Sequence, residues 1–327
     1  MQQFVVTALA LQIVLLLCAS TVGTQAASKP PRVGVLCSGC ANSTINAFWE
    51  ELPNLGWREG ATIVIERKEV GARLDQFPAL VAELVRSKPD LIVATSPQAA
   101  RAAKDATSDI PIAFFWVADP VGMGLASSLA HPGGNVTGAA TLVPGDFNGK
   151  IFGIVRELLP RAKHVAALVN PLNESVKLMY SREASPAAAK LGFRLDTIEV
   201  NNSEELSGAV ATAKARGTDA LYVVTDPIIS NPPNRVPDLA LQAELPSISL
   251  SRIFAQSGGL ISYGPDFPAL ARLGARYVDR ILKGAKPAEL PIEQPSKYEL
   301  IINLKTAKSL GVEIPSSLLA RADEVIE

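Results

Sequence analysis

The sequence predicts an α/β protein of two similar lobes, each a mainly parallel sheet covered by helices on both faces, with a shared cleft between them. Three observations predict it. The chain has 327 residues, about twice a usual domain, so two cores are expected. Its apolar content is 48% against 19% charged residues, too apolar for a disordered chain. Along its length an apolar strand, a turn and an amphipathic helix alternate with short connections, and the series starts afresh near residue 143. That alternation specifies parallel sheets, whose ligands bind beyond the carboxyl ends of the strands.

Taken in order, the first element is a leader. From Phe4 to Leu17 only Thr7 and Gln12 interrupt an apolar run, which Thr24-Gln25-Ala26 follows with small residues. The run is shorter than the roughly 20 residues of a membrane span, so residues 1–27 read as a secretory signal cleaved after Ala26 or Ala27. Leu17 before Cys18 is too bulky for a lipoprotein site, so soluble export is expected over a lipid anchor. Downstream, no second long apolar run follows.

In the first series the Val33-Gly34-Val35-Leu36 run makes 32–36 a buried strand, and 45–55 is helical with Pro53 set to end or kink it. Residues 61–70 alternate as a strand. Residues 75–85 place Phe77, Leu80, Val81 and Leu84 on one helical face. Lys88-Pro89-Asp90 then punctuates before a strand at 91–94. An alanine-rich helix at 97–106, a strand at 110–117, a helix at 121–129 and a strand at 136–142 complete the series. The second series predicts helices at 147–158, 174–190, 204–215, 237–243 and 268–282, and strands at 165–170, 194–200, 220–224, 247–250 and 259–263.

Composition narrows the function. With 31 basic and 32 acidic residues and a net charge of -1, the chain has no footprint for nucleic acid. Two histidines and three cysteines leave few ligands for a metal centre, which argues against a zinc hydrolase. There is no G-x-S-x-G, H-E-x-x-H or phosphate loop, and Gly122-Met123-Gly124 lacks the third glycine and the strand-to-helix turn of a dinucleotide site. No catalytic residue and no cofactor are expected. Cys37-Ser38-Gly39-Cys40 reads as a short-loop disulfide or inert thiols, as a loop lining a ligand cleft, or as a redox pair.

Polar residues recur where strands end. Thr95-Ser96-Pro97 places a hydroxyl at a helix cap and proline in the first turn, which serves either as plain capping or as an anion site for a ligand carboxylate. Asp119-Pro120, Asn170-Pro171 and Asp226-Pro227 end strands in the same way, and either aspartate suits a ligand ammonium or a helix cap. Trp116 and Tyr263 are placed to cover a ligand side chain.

The runs Asp119-Pro120-Val121-Gly122, His131-Pro132-Gly133-Gly134-Asn135-Val136-Thr137-Gly138, Ser262-Tyr263-Gly264-Pro265-Asp266, Ile302-Asn303-Leu304-Lys305-Thr306-Ala307-Lys308 and Ala320-Arg321-Ala322-Asp323-Glu324 resemble the ABC transporter substrate-binding protein family that includes tryptophan- and phenylalanine-binding members. The resemblance covers nearly all the chain after the leader. It implies a type I periplasmic-binding-protein fold of two Rossmann-like lobes about a hinged cleft, with crossovers near 142–145, 262–265 and 291–297. The expected N-terminal lobe is 28–142 plus about 264–292, and the C-terminal lobe 143–263 plus about 293–327. The matching ligand positions are Ser38, Thr95, Ser96, Asp119, Thr141, Asn170, Asp226 and Tyr263. The chain departs from relatives in its Cys37–Asn42 loop, usually rich in Gly, Ser and Pro, and in Pro53, Pro232, Pro233 and Pro237. The resemblance also implies a periplasmic, monomeric component of an ABC importer, closing on a small ligand such as an aromatic or branched amino acid or a similar carboxylate, with permease and ATPase subunits as partners. A periplasmic sensor feeding a receptor is the alternative, and a Cys37/Cys40 redox enzyme a third.

Overall fold

The computed structural model describes residues 29–40, 43–71, 73–143 and 147–327. The expected leader falls outside these residues, as do 144–146 of the first expected crossover.

Two sheets organise residues Pro31–Glu327, which cohere as one contact unit. The first has the order β2-β1-β3-β4-β5 and is wholly parallel, built from β1 (Arg32–Cys37), β2 (Val64–Glu69), β3 (Leu91–Ala94), β4 (Ile112–Val117) and β5 (Val136–Ala140). Helices α1 (Ser43–Asn54), α2 (Phe77–Arg86) and α3 (Pro97–Ala106) connect its strands. Side chains alternate along each strand. Leu36, Ile92 and Phe114 therefore pack beneath Val81 and Leu84 of α2. Val33, Val35, Val93 and Phe115 face the opposite way onto Phe48 of α1.

The second sheet has the order β12-β11-β10-β9-β8-β6-β7. Its strands are β6 (His164–Val169), β7 (Arg194–Glu199), β8 (Ala220–Val223), β9 (Ser247–Ser249), β10 (Ile261–Pro265), β11 (Tyr298–Asn303) and β12 (Glu324–Ile326), parallel except for the β10 and β11 pair. In chain order its helical segments are α4 (Phe147–Leu158), α5 (Glu174–Met179), α6 (Ser185–Lys190), α7 (Leu206–Ala215), α8 (Pro227–Ser230), α9 (Arg235–Gln242) and α10 (Arg252–Gln256). After β10 the chain returns to the first sheet, where α11 (Phe267–Leu282) lays Tyr277 and Val278 in the same core as Phe48 and Phe115. It then comes back as β11, α12 (Leu304–Leu310), α13 (Ser316–Leu319) and β12. Glu293 marks the return, pairing its backbone with Gly138 and Ala140 at 3.0 and 2.8 Å.

Two local expectations are corrected. Residues 121–129 form turns instead of a helix. Asp119 accepts the Gly122 amide at 2.7 Å, and Gly124 at φ +68° leaves the right-handed region after a single turn. The helix expected over 174–190 is divided by a π turn, Tyr180–Ala184. Pro186 there has no amide hydrogen to give the carbonyl of Arg182, which loosens the ladder at that point. As expected of Pro53, α1 closes one residue after it, at Asn54. The strands β11 and β12 lie beyond the last strand read from periodicity.

Candidate functional site

The carboxyl ends of both sheets face a common cleft, and it contains a cavity of about 390 Å³. Most of its wall is apolar: Trp116, Val176, Met179, Ile229, Phe254 and Phe267 are among the lining side chains. Of the residues expected at a ligand site, Ser38, Thr95, Ser96, Trp116, Thr141 and Asp226 line it.

Each is set by local structure. Ser96 caps α3, its Oγ accepting the Ala99 amide at 3.1 Å, so the capping role is real. That bond uses a lone pair and leaves the hydroxyl proton free to give. Thr95 is the reverse case. Its hydroxyl donates to the Leu36 carbonyl at 3.2 Å, so towards the cavity it can only accept. Thr141 is buried, and its Oγ1 has no hydrogen-bond partner in the protein. Thr225 Oγ1, also in the wall, is in the same state. A buried unpaired hydroxyl costs roughly 1–3 kcal/mol unless something in the cavity pairs with it.

Trp116 reaches the cavity through an irregularity. Pairing between β4 and β5 slips between Phe115 and Val117, and Trp116 stands at φ +72°, where a bulky side chain is strained. Bulges re-aim side chains beside sites. The indole Nε1 donates to the Phe267 carbonyl at 3.2 Å, which fixes the ring in the wall.

Asp226 ends up nearly inaccessible to solvent, at 2% exposure. Its carboxylate accepts from Asn170 Nδ2 at 3.0 Å, the Ile228 amide at 3.0 Å, Asn173 Nδ2 at 2.8 Å and Gln98 Nε2 at 3.2 Å. All four donors are neutral. No Lys, Arg or His lines the cavity among the described residues, so Asp226 is the one formal charge in its wall.

The remaining expected positions lie elsewhere. Asn170 is fully buried behind Asp226, which it holds, and its Oδ1 accepts the Leu172 amide at 2.9 Å. Tyr263 stacks with Phe147 and Tyr298, ring centroids 5.8 Å from each, where the chain crosses between the sheets. Asp119 lines a second cavity of about 660 Å³, which shares Ala118, Leu142 and Met179 with the first. Cys37 and Cys40 form a disulfide whose loop presents Ser38 to the cavity.

Periodicity missed Gln98, Asn173 and Thr225. Asn173 had a readable signal, because it stands at the cap of α5 and accepts the Val176 amide at 3.2 Å. Gln98 had none, since its partner sits 128 positions away.

The lobes touch across the cleft at Gln98 and Asp226, at Arg101 and Glu174, and at Asp119 with Ser175 and Arg182.

Comparison with known proteins agrees with this architecture. The chain is 29% identical over 266 residues to a tyrosine-binding protein of Clostridioides difficile, covering 81% of this chain and 76% of the relative. A Streptococcus pneumonia ABC domain solved in complex with L-Trp superposes with TM-score 0.83 at 26% identity, over 91% of this chain and all of that one. A ligand-free, open substrate binding protein with adhesive properties from Clostridium difficile gives 0.62 at 25% identity, over 90% and 99%. Identity and coverage are nearly equal in these two structures, yet the ligand complex superposes better, in keeping with the cross-cleft contacts here. Residues 35–326 match the family described as ABC transporter substrate binding protein. With both sheets, the cleft and residues 35–326 matched, this protein belongs to the ABC transporter substrate binding protein family and is a solute binder, not an enzyme.

Proposed function

We propose that the protein is the extracytoplasmic, periplasmic solute-binding component of an ABC importer and captures an amino acid with an aromatic or branched side chain as its two lobes close. One observation carries the ligand class. The inter-lobe cavity holds a single buried charge, Asp226, balanced only by neutral donors, beside two unpaired hydroxyls in a mostly apolar wall.

A buried carboxylate without a cation is costly, and a ligand ammonium lowers that cost. A bare carboxylate adds a second negative charge and raises it. An amino acid is therefore favoured over a simple carboxylate. In this reading Asp226 and the Thr95 lone pairs face the ammonium. Ser96, with its free proton, and Thr141 donate to the carboxylate near the start of α3, where the helix favours negative charge. Trp116, Met179 and Phe254 enclose the side chain. The tyrosine-binding relative and the L-Trp complex support the choice. Closed lobes then offer a joint surface to the permease, whose ATPase subunits supply the energy.

Thermal shift of the protein, refolded free of carried-over ligand, tests this against L-tryptophan, L-tyrosine, L-phenylalanine, L-leucine, their carboxylates lacking the amine, and sugars. A ligand at about 100 times its Kd adds roughly 2.7 kcal/mol of stability. Selective stabilisation by an amino acid and none by its amine-free counterpart is expected. Equal stabilisation by the two overturns the role of Asp226, and a response to sugars alone overturns the ligand class.

A further inference from the structure

Four charged side chains outside the ligand cavity face one another across the cleft. From the first lobe, Arg101 on α3 reaches Glu174 Oε2 of the second lobe at 3.2 and 3.3 Å through two guanidinium nitrogens. The same guanidinium also donates to the Met123 carbonyl in the loop after β4. That loop also carries Asp119, whose carboxylate lies 3.5 Å from Arg182 of the second lobe and whose amide donates to Ser175 Oγ at 3.2 Å. The first lobe therefore offers a cation and an anion, and the second an anion and a cation, in matching order. Sliding one lobe against the other would bring Arg101 towards Arg182 and Asp119 towards Glu174, which repel. The register seen here satisfies both pairs.

The π turn makes this register available. Glu174 and Arg182 are eight residues apart, and a uniform α-helix would set them about 80° apart around its axis. A π turn winds each residue through a smaller angle, so Tyr180–Ala184 swings Arg182 back towards the face that carries Glu174. Gly122 completes the fit. A Cβ there would stand 1.9 Å from Asp119 Oδ2 and 2.9 Å from the Arg182 guanidinium, so any larger residue would displace the pair. Asp119 and Arg182 also line the second cavity, which adjoins the ligand cavity at Met179. Loosening the pair loosens the wall beside the ligand.

We propose that Arg101 with Glu174 and Asp119 with Arg182 form a two-point ionic clasp whose π-turn register sets how long the closed lobes hold their ligand. Asp119 is then a positioning residue for closure and does not contact the ligand. The effect on retention rests on the capture-by-closure reading above, whereas the clasp itself is measurable without a ligand.

The test pairs a distance with a rate. Spin labels on Ser108→Cys and Lys190→Cys, one per lobe, report the inter-lobe distance in unliganded protein at about 20 mM salt, where exposed charges are weakly screened, and at about 500 mM, where they are strongly screened. Stopped-flow displacement of L-tyrosine and L-tryptophan gives the dissociation rate. The double variant Arg101→Glu with Arg182→Glu is expected to move the distance distribution towards the open side at low salt. It is also expected to speed ligand release about three- to tenfold, as for two exposed pairs acting together. The charge swap Arg101→Glu with Glu174→Arg, which leaves the Asp119 contact with the Gly122 amide intact, should hold both readouts near wild type, which a merely structural defect would not allow. An unchanged distance distribution in the double variant overturns the clasp, as does failure of the swap when each single change is harmful. If neither amino acid binds the wild type, the ligand class above fails, and the distance measurement still decides the clasp by the same criterion.

Discussion

Gln98, in the first turn of α3, donates its side-chain amide to Asp226 of the opposite lobe at 3.2 Å. The contact joins the helix start that the sequence singles out for an anion to a carboxylate supplied by the protein itself. A ligand carboxylate must share this space with Asp226, so an amine on the same ligand is what relieves the crowding of negative charge.

Asp226→Asn removes the cavity's one charge and turns an acceptor into a group that also donates, opposite three side-chain amides. Affinity for an amino acid ligand should fall at least tenfold while its amine-free carboxylate gains or keeps affinity, measured by calorimetry. The fold should lose about 2 kcal/mol, the scale of hydrogen bonds to a buried charge, read from urea unfolding. Parallel loss for both ligands would remove Asp226 from ammonium recognition.

Thr141→Val keeps the shape of the side chain and deletes only the hydroxyl. Because Oγ1 has no protein partner, the unliganded protein should be unchanged or up to about 1 kcal/mol more stable. Ligand affinity should drop about five- to tenfold, the weight of one hydrogen bond. A destabilised apoprotein with unaltered affinity would show that the hydroxyl serves the fold.

Ser96→Ala separates capping from binding. Loss of the bond to the Ala99 amide should cost about 1 kcal/mol of stability. Ser96→Asp keeps the cap but adds a negative charge, and should therefore preserve stability while abolishing binding of a carboxylate-bearing ligand. Undiminished binding by the aspartate variant would exclude Ser96 from the carboxylate end.

Asp196 links stability to pH. The Arg194 guanidinium and His164 Nε2, at 2.6 and 2.9 Å from its Oδ2, hold its carboxyl down at about 2. A carboxyl whose pKa is lowered on folding contributes stability above its unfolded value near 4, and loses it as pH falls towards the folded value. For this partly solvated group the contribution is about 1 kcal/mol after screening. The stability gap between wild type and Asp196→Asn should accordingly narrow by about that much between about pH 5 and pH 2.5, followed by urea midpoint. A constant gap would show that the ion pair adds nothing.

Much of the fold was legible because burial imposes periodicity. The continuous apolar runs at β1, β3, β4, β6 and β8 mark strands covered on both faces, and the i, i+3, i+4 faces of α2 and α3 mark helices packed against them. The failures are equally physical. The segment 121–129 carries helical spacing and Asp119 caps a first turn through the Gly122 amide, but Gly124 at φ +68° ends that turn before a helix can grow. Strand β12 is a three-residue edge, Glu324–Ile326, held through its register with β11 and by Arg252 on Glu324 at 2.6 Å. Neither support is local.

The sequence by itself determined the alternation of elements, the caps at Ser96 and Asp226, and the hydroxyl-rich strand ends, because each depends on residues within a turn or two of one another. Tertiary structure decided which of those ends share a cavity and what each does there. It sent Tyr263 to an aromatic stack at the crossover, put Asp119 against Arg182, and left Asp226 as the lone charge among neutral donors. The charge, burial and free valence of a side chain are set by neighbours that can lie more than a hundred residues away, and no local pattern records them.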